Sequence, residues 1–283
     1  MRKPGVAEKY VRVVQNTYED SETMVYRIPA LLYERDSKTL IAFAEQRRTP
    51  DDASGEKLVM KKAEWSELRV VKEAHIDGYR PMNPCPVYDK VNKKLFLFFI
   101  CVEDSVTEQW QIKWYCNKAR LCYITSTDFG ETWSGVTDLT DKLTEIKDWA
   151  TFAVGPGHGI QTEDGRLIVP AYAYYSCCRT SCLCCCCKSN TLSLYSDDSG
   201  ENWKFGEMFP TKSNECQMAA VYDDNGSSFI YCNARAVPNT VEWKLFSETN
   251  GVTFSVIRCS KLKEQALRAV RECDLFSSSK GKW

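Results

Sequence analysis

The sequence predicts an all-β protein assembled from repeated antiparallel hairpins. Three observations predict it. Short strand-like runs recur along the chain, rich in β-branched and aromatic residues and bounded by Gly, Asp, Asn or Pro. An eight-residue turn motif repeats. No long helical periodicity interrupts the runs before residue 255.

The clearest runs, in order, are Thr39–Ala44, Lys94–Val102, Arg166–Ala173 and Ser228–Asn233. Roughly a dozen such runs precede the tail. Short, regularly spaced strands without helices suit a sandwich, a barrel or a propeller. The turn motif points to repeated hairpins. Ser126-Thr127-Asp128-Phe129-Gly130-Glu131-Thr132-Trp133 recurs 70 residues later as Ser196-Asp197-Asp198-Ser199-Gly200-Glu201-Asn202-Trp203. A weaker copy, Ser247-Glu248-Thr249-Asn250-Gly251-Val252-Thr253-Phe254, follows after a further 51 residues. The Asp side chain can accept backbone N–H groups within such a turn, and Gly supplies a positive φ. The aromatic residue then anchors the hairpin. These are structural motifs without a catalytic role.

Past residue 258 the pattern changes. Leu262, Ala266, Val270 and Cys273 fall on one helical face among Lys, Glu and Arg, and Ser277–Trp283 reads as a solvated end. The domain expectation is therefore a partial propeller-like unit over 1–258 and a divergent helical tail over 259–283.

Lys plus Arg total 37 and Asp plus Glu 38, a net charge of −1. That balance argues against nucleic acid as a partner, because phosphate binding needs net positive charge. It leaves room for a small anion held by a local Arg cluster. Met1–Gln15 has no apolar leader segment. The longest apolar run, Leu95–Val102, is far shorter than the roughly 20 residues a bilayer span requires. Fifteen Cys are present. Cys85, Cys101, Cys116, Cys122, Cys216, Cys232, Cys259 and Cys273 are scattered and read as reduced, mostly buried thiols. The other seven crowd into Cys177–Cys187. A functionless insertion is one reading of that cluster, reversible acylation a second and metal binding a third. His75 and His158 are the only histidines, too few for a His-rich zinc site.

The repeated turn is the Asp-box of sialidases, and further motifs follow in that family's order. They are Tyr26-Arg27-Ile28-Pro29, Ala44-Glu45-Gln46-Arg47, Met82-Asn83-Pro84-Cys85-Pro86, Thr107-Glu108-Gln109, Val154-Gly155-Pro156-Gly157-His158, Pro170-Ala171-Tyr172-Ala173-Tyr174, Glu215-Cys216-Gln217 and Asn233-Ala234-Arg235. Over about residues 10 to 258 the chain closely resembles the animal cytosolic and plasma-membrane sialidases, the ganglioside-preferring type above all. The resemblance implies a six-bladed β-propeller, with only about four of its blades present. It implies an exo-α-sialidase that removes terminal sialic acid from glycolipids or glycoproteins, without a cofactor. It also implies a cytoplasmic, plasma-membrane or endolysosomal setting with peripheral membrane contact, which Cys177–Cys187 would supply on the acylation reading of that cluster.

The site residues follow by position. Arg27 and Arg235 match two of the three Arg that clamp the sialic acid carboxylate, where a planar guanidinium can fork onto both oxygens. Asp52 matches the acid/base, with Asp51 the near alternative. Glu215 matches the Glu that assists a Tyr nucleophile, an exception to the two-carboxylate scheme. Glu45 is expected to support the first Arg, with Arg47 beside it. Met82 and Asn83 are expected near the sugar and its N-acyl group, Glu108 on a loop near the ligand, and Tyr172 and Tyr174 along the pocket. The third Arg and the Tyr nucleophile have no counterpart in the sequence. The alternative expectation is a truncated, inactive relative that binds sialic acid or protein partners.

Overall fold

A computed structural model describes residues 24–62, 66–176, 187–222, 228–237 and 242–256. The helix expected over 261–273 and Cys177–Cys186 lie outside the described residues.

Four antiparallel sheets follow one another along the chain. The first holds β1 (Val25–Glu34), β2 (Thr39–Arg47), β3 (Gly55–Lys62) and β4 (Arg69–Val70). The second holds β5 (Tyr79–Asp89), β6 (Lys94–Glu103), β7 (Ala119–Ser126) and β8 (Thr137–Asp138). The third is built on β11 (Leu167–Ser176) and β12 (Cys187–Ser196), with β9 (Trp149–Val154), β10 (Ile160–Gln161) and β13 (Lys204–Phe205). The fourth holds β14 (Ser213–Tyr222), β15 (Ser228–Ala236), β16 (Glu242–Ser247) and β17 (Ser255–Val256). Each is a propeller blade, so the expected four-blade portion is present. The described residues hold seventeen strands rather than about a dozen. The excess lies in two-residue strands such as β4, β8, β10, β13 and β17, too short to show any alternation. One α-helix, α1 (Glu108–Trp114), was also not expected. Thr107 caps it by accepting from the Trp110 N–H, and Tyr115 ends it in the left-handed region.

The core sits between blades. Strand β6 shows why, because Leu95–Val102 is buried on both faces. Phe96, Phe98, Ile100 and Val102 pack toward the third blade. Leu95, Leu97, Phe99 and Cys101 pack toward the first. A continuous apolar run is what a strand sandwiched between two blades requires. Of the scattered cysteines, Cys85, Cys101, Cys122, Cys216 and Cys232 are buried free thiols, and Cys116 is half-buried.

The Asp-box turns close as their chemistry dictates. Asp128 accepts from the Thr132 N–H (2.9 Å) and the Ser126 hydroxyl (2.7 Å), and the Gly130 N–H donates to Ser126 Oγ (2.7 Å). Thr132 holds Asp128 below the usual carboxylate range through side-chain and backbone hydrogen bonds. Asp198 repeats the arrangement with Asn202 and Ser196. In the third copy Thr249 Oγ1 takes the Asp role, accepting from the Thr253 N–H at 2.8 Å. The motif's aromatic residue wedges against a neighbouring segment. Trp133 packs on Phe43 of the first blade at 6.2 Å, and Trp203 on Phe98 of the second at 4.7 Å. Gly200, at φ +90°, sits where an added Cβ would lie 2.4 Å from the Phe96 ring. Only glycine allows both that conformation and that approach.

Candidate active site

Three blade-edge strands carry the site motifs, and each breaks its register there. The pairing of β1 shifts between Arg27 and Ala30, that of β5 between Met82 and Cys85, and that of β14 between Ser213 and Cys216. Such bulges re-aim side chains and interrupt pairing. Ile28 and Asn83 lie at positive φ, +52° and +56°. A β-branched residue there is strained, and strain of this kind gathers at functional sites. Pro29, Pro84 and Pro86 fit the same edges because an edge strand can lose an N–H donor.

The first cluster forms around Glu45 on β2, which is fully buried. Arg47 Nε donates to Glu45 Oε2 at 2.7 Å, and the Asn83 backbone N–H donates to Oε1 at 2.6 Å. Burial pushes Glu45 up to about 7, while Arg47 and the Asn83 N–H pull it down. Arg47 is only 1% exposed. Its Nη2 also pairs with Glu45, while Nη1 pairs with the Asp52 carboxylate and donates to Pro50 O at 3.2 Å. Burial alone would lower Arg47, but Glu45 and then Asp52 raise it. Arg47 thus holds the Asp52 turn instead of opening onto the cleft. Glu45 faces Arg27 across the β1–β2 ladder. Its ion-pair partner, though, is Arg47. Arg27 is exposed. Met82 is buried and lies beneath the loop that carries Asp52, 3.9 Å from where a Cβ on Gly55 would sit.

The second cluster joins three blades. Arg235 on β15 pairs with Glu215 on β14 at 2.8 Å, and its Nε donates to Asn214 Oδ1 at 3.0 Å. Asn214 acts on the Tyr174 phenol and Tyr172 on the Glu108 carboxyl, each pulling the pKa down against burial. The two tyrosine rings meet edge to face at 6.1 Å. Glu108 opens helix α1, where a loop residue was expected. Burial raises its pKa, and the charges of Asp52 and Glu215 add to the rise. The two clusters therefore meet at Asp52 and Glu108. Burial also drives Tyr172 far above the ordinary phenol value, with Glu108 and Glu215 adding to it, so it is a neutral donor.

The Glu108 shift has a measurable sign. A carboxyl raised in the native state contributes stability that is complete below its ordinary value and is lost as pH rises through the native value. Glu108→Gln should therefore be more stable than the parent at pH 7, with the gain vanishing near pH 4. Urea midpoints at both pH values check this; an equal difference at both would contradict it.

Sequence reasoning missed two residues. Arg80, 4% exposed, donates to Asp52 O (3.3 Å), Glu103 O (3.0 Å) and Val106 O, bracing both the Asp52 turn and the loop before α1. Asn214, also buried, links Arg235 to Tyr174. Arg80 left no sequence signal, since its acceptors are backbone carbonyls 23 to 28 residues away. Asn214 could have been suspected from its place beside Glu215. Among the described residues no group of three metal-ligating side chains converges. No described helix is long and apolar enough to cross a membrane.

Comparison with known proteins agrees with this geometry. The BNR repeat-like domain family matches residues 34–280. The chain is 44% identical over 246 residues to Sialidase-3 of Mus musculus, covering 83% of this chain and 59% of that protein. It is 45% identical over 227 residues to Sialidase-4 of Mus musculus, covering 75% and 46%. The chain thus spans about half the length of these curated relatives. Among solved structures, Hadza microbial sialidase Hz136 superposes with a TM-score of 0.68 at 19% identity, covering 82% of this chain and 46% of that one. At that identity the likeness speaks for the fold. Blades, Asp-boxes and relatives agree: the chain belongs to the BNR repeat-like family, among the animal sialidases.

Proposed function

We propose that the chain is part of an exo-α-sialidase that hydrolyses terminal sialic acid from gangliosides and other sialoglycoconjugates. The observation that supports it is the meeting of Asp52, Glu108, Glu215, Arg235 and Tyr172 in one place, although they come from all four blades. Arg235 and the exposed Arg27 take the substrate carboxylate, each by bidentate hydrogen bonding. Asp52, on its turn, protonates the leaving oxygen. Glu215 is the base for a Tyr nucleophile, which suits an anionic substrate because a neutral phenol does not repel it. Glu45 and Arg47 position Asp52, while Met82, Asn83, Tyr172 and Tyr174 shape the pocket. The same reading places the protein in the cytoplasm or at a membrane surface.

A second reading has its own observation. Tyr172 and Tyr174 are the tyrosines of this cluster, and burial raises both. Neither is suited to phenolate chemistry. That favours a sialic acid-binding relative without turnover. A fluorogenic sialoside separates the two. Turnover by the parent chain, with Asp52→Ala lowering the rate about 10²–10⁴-fold, would support the enzyme reading. A parent rate equal to the Asp52→Ala background would remove the enzyme reading and leave binding, which Arg235→Ala should then abolish.

A further inference from the structure

Helix α1 presents an outward face that the catalytic reading does not use. Gln111 is buried, and Glu108, Ile112 and Tyr115 are half-buried. Gln109, Trp110, Lys113 and Trp114 are exposed. Trp110 is 39% exposed and Trp114 61%. At about 100° per residue the two tryptophans lie about 40° apart on the helix. They lie about 200° and 240° from Glu108, so they face away from the carboxylate cluster. Two large aromatic side chains open to water on one short helix need an occupant, since burying them is favourable.

Charge and direction identify the occupant. The exposed face carries Lys113, whose ammonium lies 5.3 Å from the Trp114 ring centroid, and no carboxylate. From Gln109 to Arg120 there are three cations and no acidic residue. Lys118 and Arg120 are already paired, with Glu103 and Asp138. Trp side chains favour the headgroup level of a bilayer, where the indole ring is half in hydrocarbon and its N–H stays wet. A Lys beside them buries its stem and keeps its charge among anionic headgroups. A glycan in the cleft would need the opposite helix face.

We propose that Trp110, Lys113 and Trp114 form a docking face for an anionic phospholipid bilayer. This deepens the proposed function by naming the surface on which the sialylated lipid is presented, and it rests on that reading for the substrate alone. Two tryptophans on a two-turn helix give weak, reversible binding.

The test is flotation of the full, unacylated chain with three kinds of vesicle: phosphatidylcholine alone, phosphatidylcholine with phosphatidylserine, and phosphatidylcholine with a sialylated glycolipid. The parent chain should float with both anionic mixtures more than with phosphatidylcholine alone. Brominated lipid should quench its fluorescence. Trp110→Ala/Trp114→Ala should cut partitioning at least tenfold in both anionic mixtures, with an unchanged melting curve because both side chains are exposed. Lys113→Glu should remove the preference for anionic lipid. Equal flotation of parent and double variant would overturn the proposal. So would a parent that ignores phosphatidylserine vesicles, or a double variant impaired only toward a soluble sialylated oligosaccharide. The arms also separate docking from the sialidase reading. Phosphatidylserine vesicles carry no sialic acid, so binding there that needs the tryptophans stands without a working cleft. Binding to glycolipid vesicles that is lost in Arg235→Ala but kept in the double variant would retain the cleft and discard the docking face.

Discussion

Replacing Arg47 with Met is expected to destabilise the fold by about 3–5 kcal/mol at pH 8, the usual cost of removing one partner from a buried ion pair. Glu45 is fully buried, and its charge is met by Arg47 and by one backbone N–H. Without Arg47 the carboxyl must either stay charged in an apolar setting or take up a proton. The pH dependence follows from burial, which pushes Glu45 up to about 7. Because that value is raised, the stability contributed by protonation is complete near pH 4.5 and is lost as pH rises through about 7. Near pH 5 Glu45 is neutral with or without Arg47, and the variant should lose mainly packing. Its deficit should therefore widen between pH 5 and pH 8. Losing the Asp52 contact adds little, since that carboxylate is 62% exposed. Urea unfolding at both pH values measures the effect. The double variant Glu45→Leu/Arg47→Met, which removes both buried charges, should recover much of the loss. A deficit that is flat with pH would contradict the account.

Trp203→Ala is expected to cost about 3–5 kcal/mol and to lower the midpoint of thermal unfolding by roughly 10 °C. The Trp203 ring is almost fully buried between the second and third blades. It meets Phe98 at 4.7 Å and Phe96 at 5.8 Å, both edge to face, and its Nε1 donates to Gly200 O at 3.1 Å. Truncation opens a cavity at the seam that joins the blades and removes an aromatic cluster. Trp203→Phe should cost less than half as much, since a ring still fills part of the wedge. A loss under about 1 kcal/mol for the Ala variant would show that the blades hold together without this residue.

Much of this was legible in the amino-acid order. The Ser/Asp/Gly/Trp turns were recognisable because their chemistry is local: the hydrogen-bond donors to the Asp128 carboxylate lie within four residues of it. The buried central strand was legible because Leu95–Val102 is apolar at every position. Helix α1 was missed because seven residues make only two turns, too few to establish a period. The two-residue outer strands were missed for the same reason. The motifs around Arg27, Glu45, Met82, Glu215 and Arg235 could be found by their order along the chain, although nothing local shows what each one touches.

The sequence by itself determined the all-β class, the repeated hairpins and the residue types available for the site. These depend on interactions within a few positions, where spacing along the chain is nearly spacing in space. Tertiary structure alone decided that Arg47 faces inward to Glu45 and Asp52, that Arg80 braces two loops, and that Trp110 and Trp114 face away from Glu108. It also decided that Glu108, between Asp52 and Glu215, binds its proton more tightly. Burial and the meeting of charges across blades set these outcomes, and both exist only once the blades have packed.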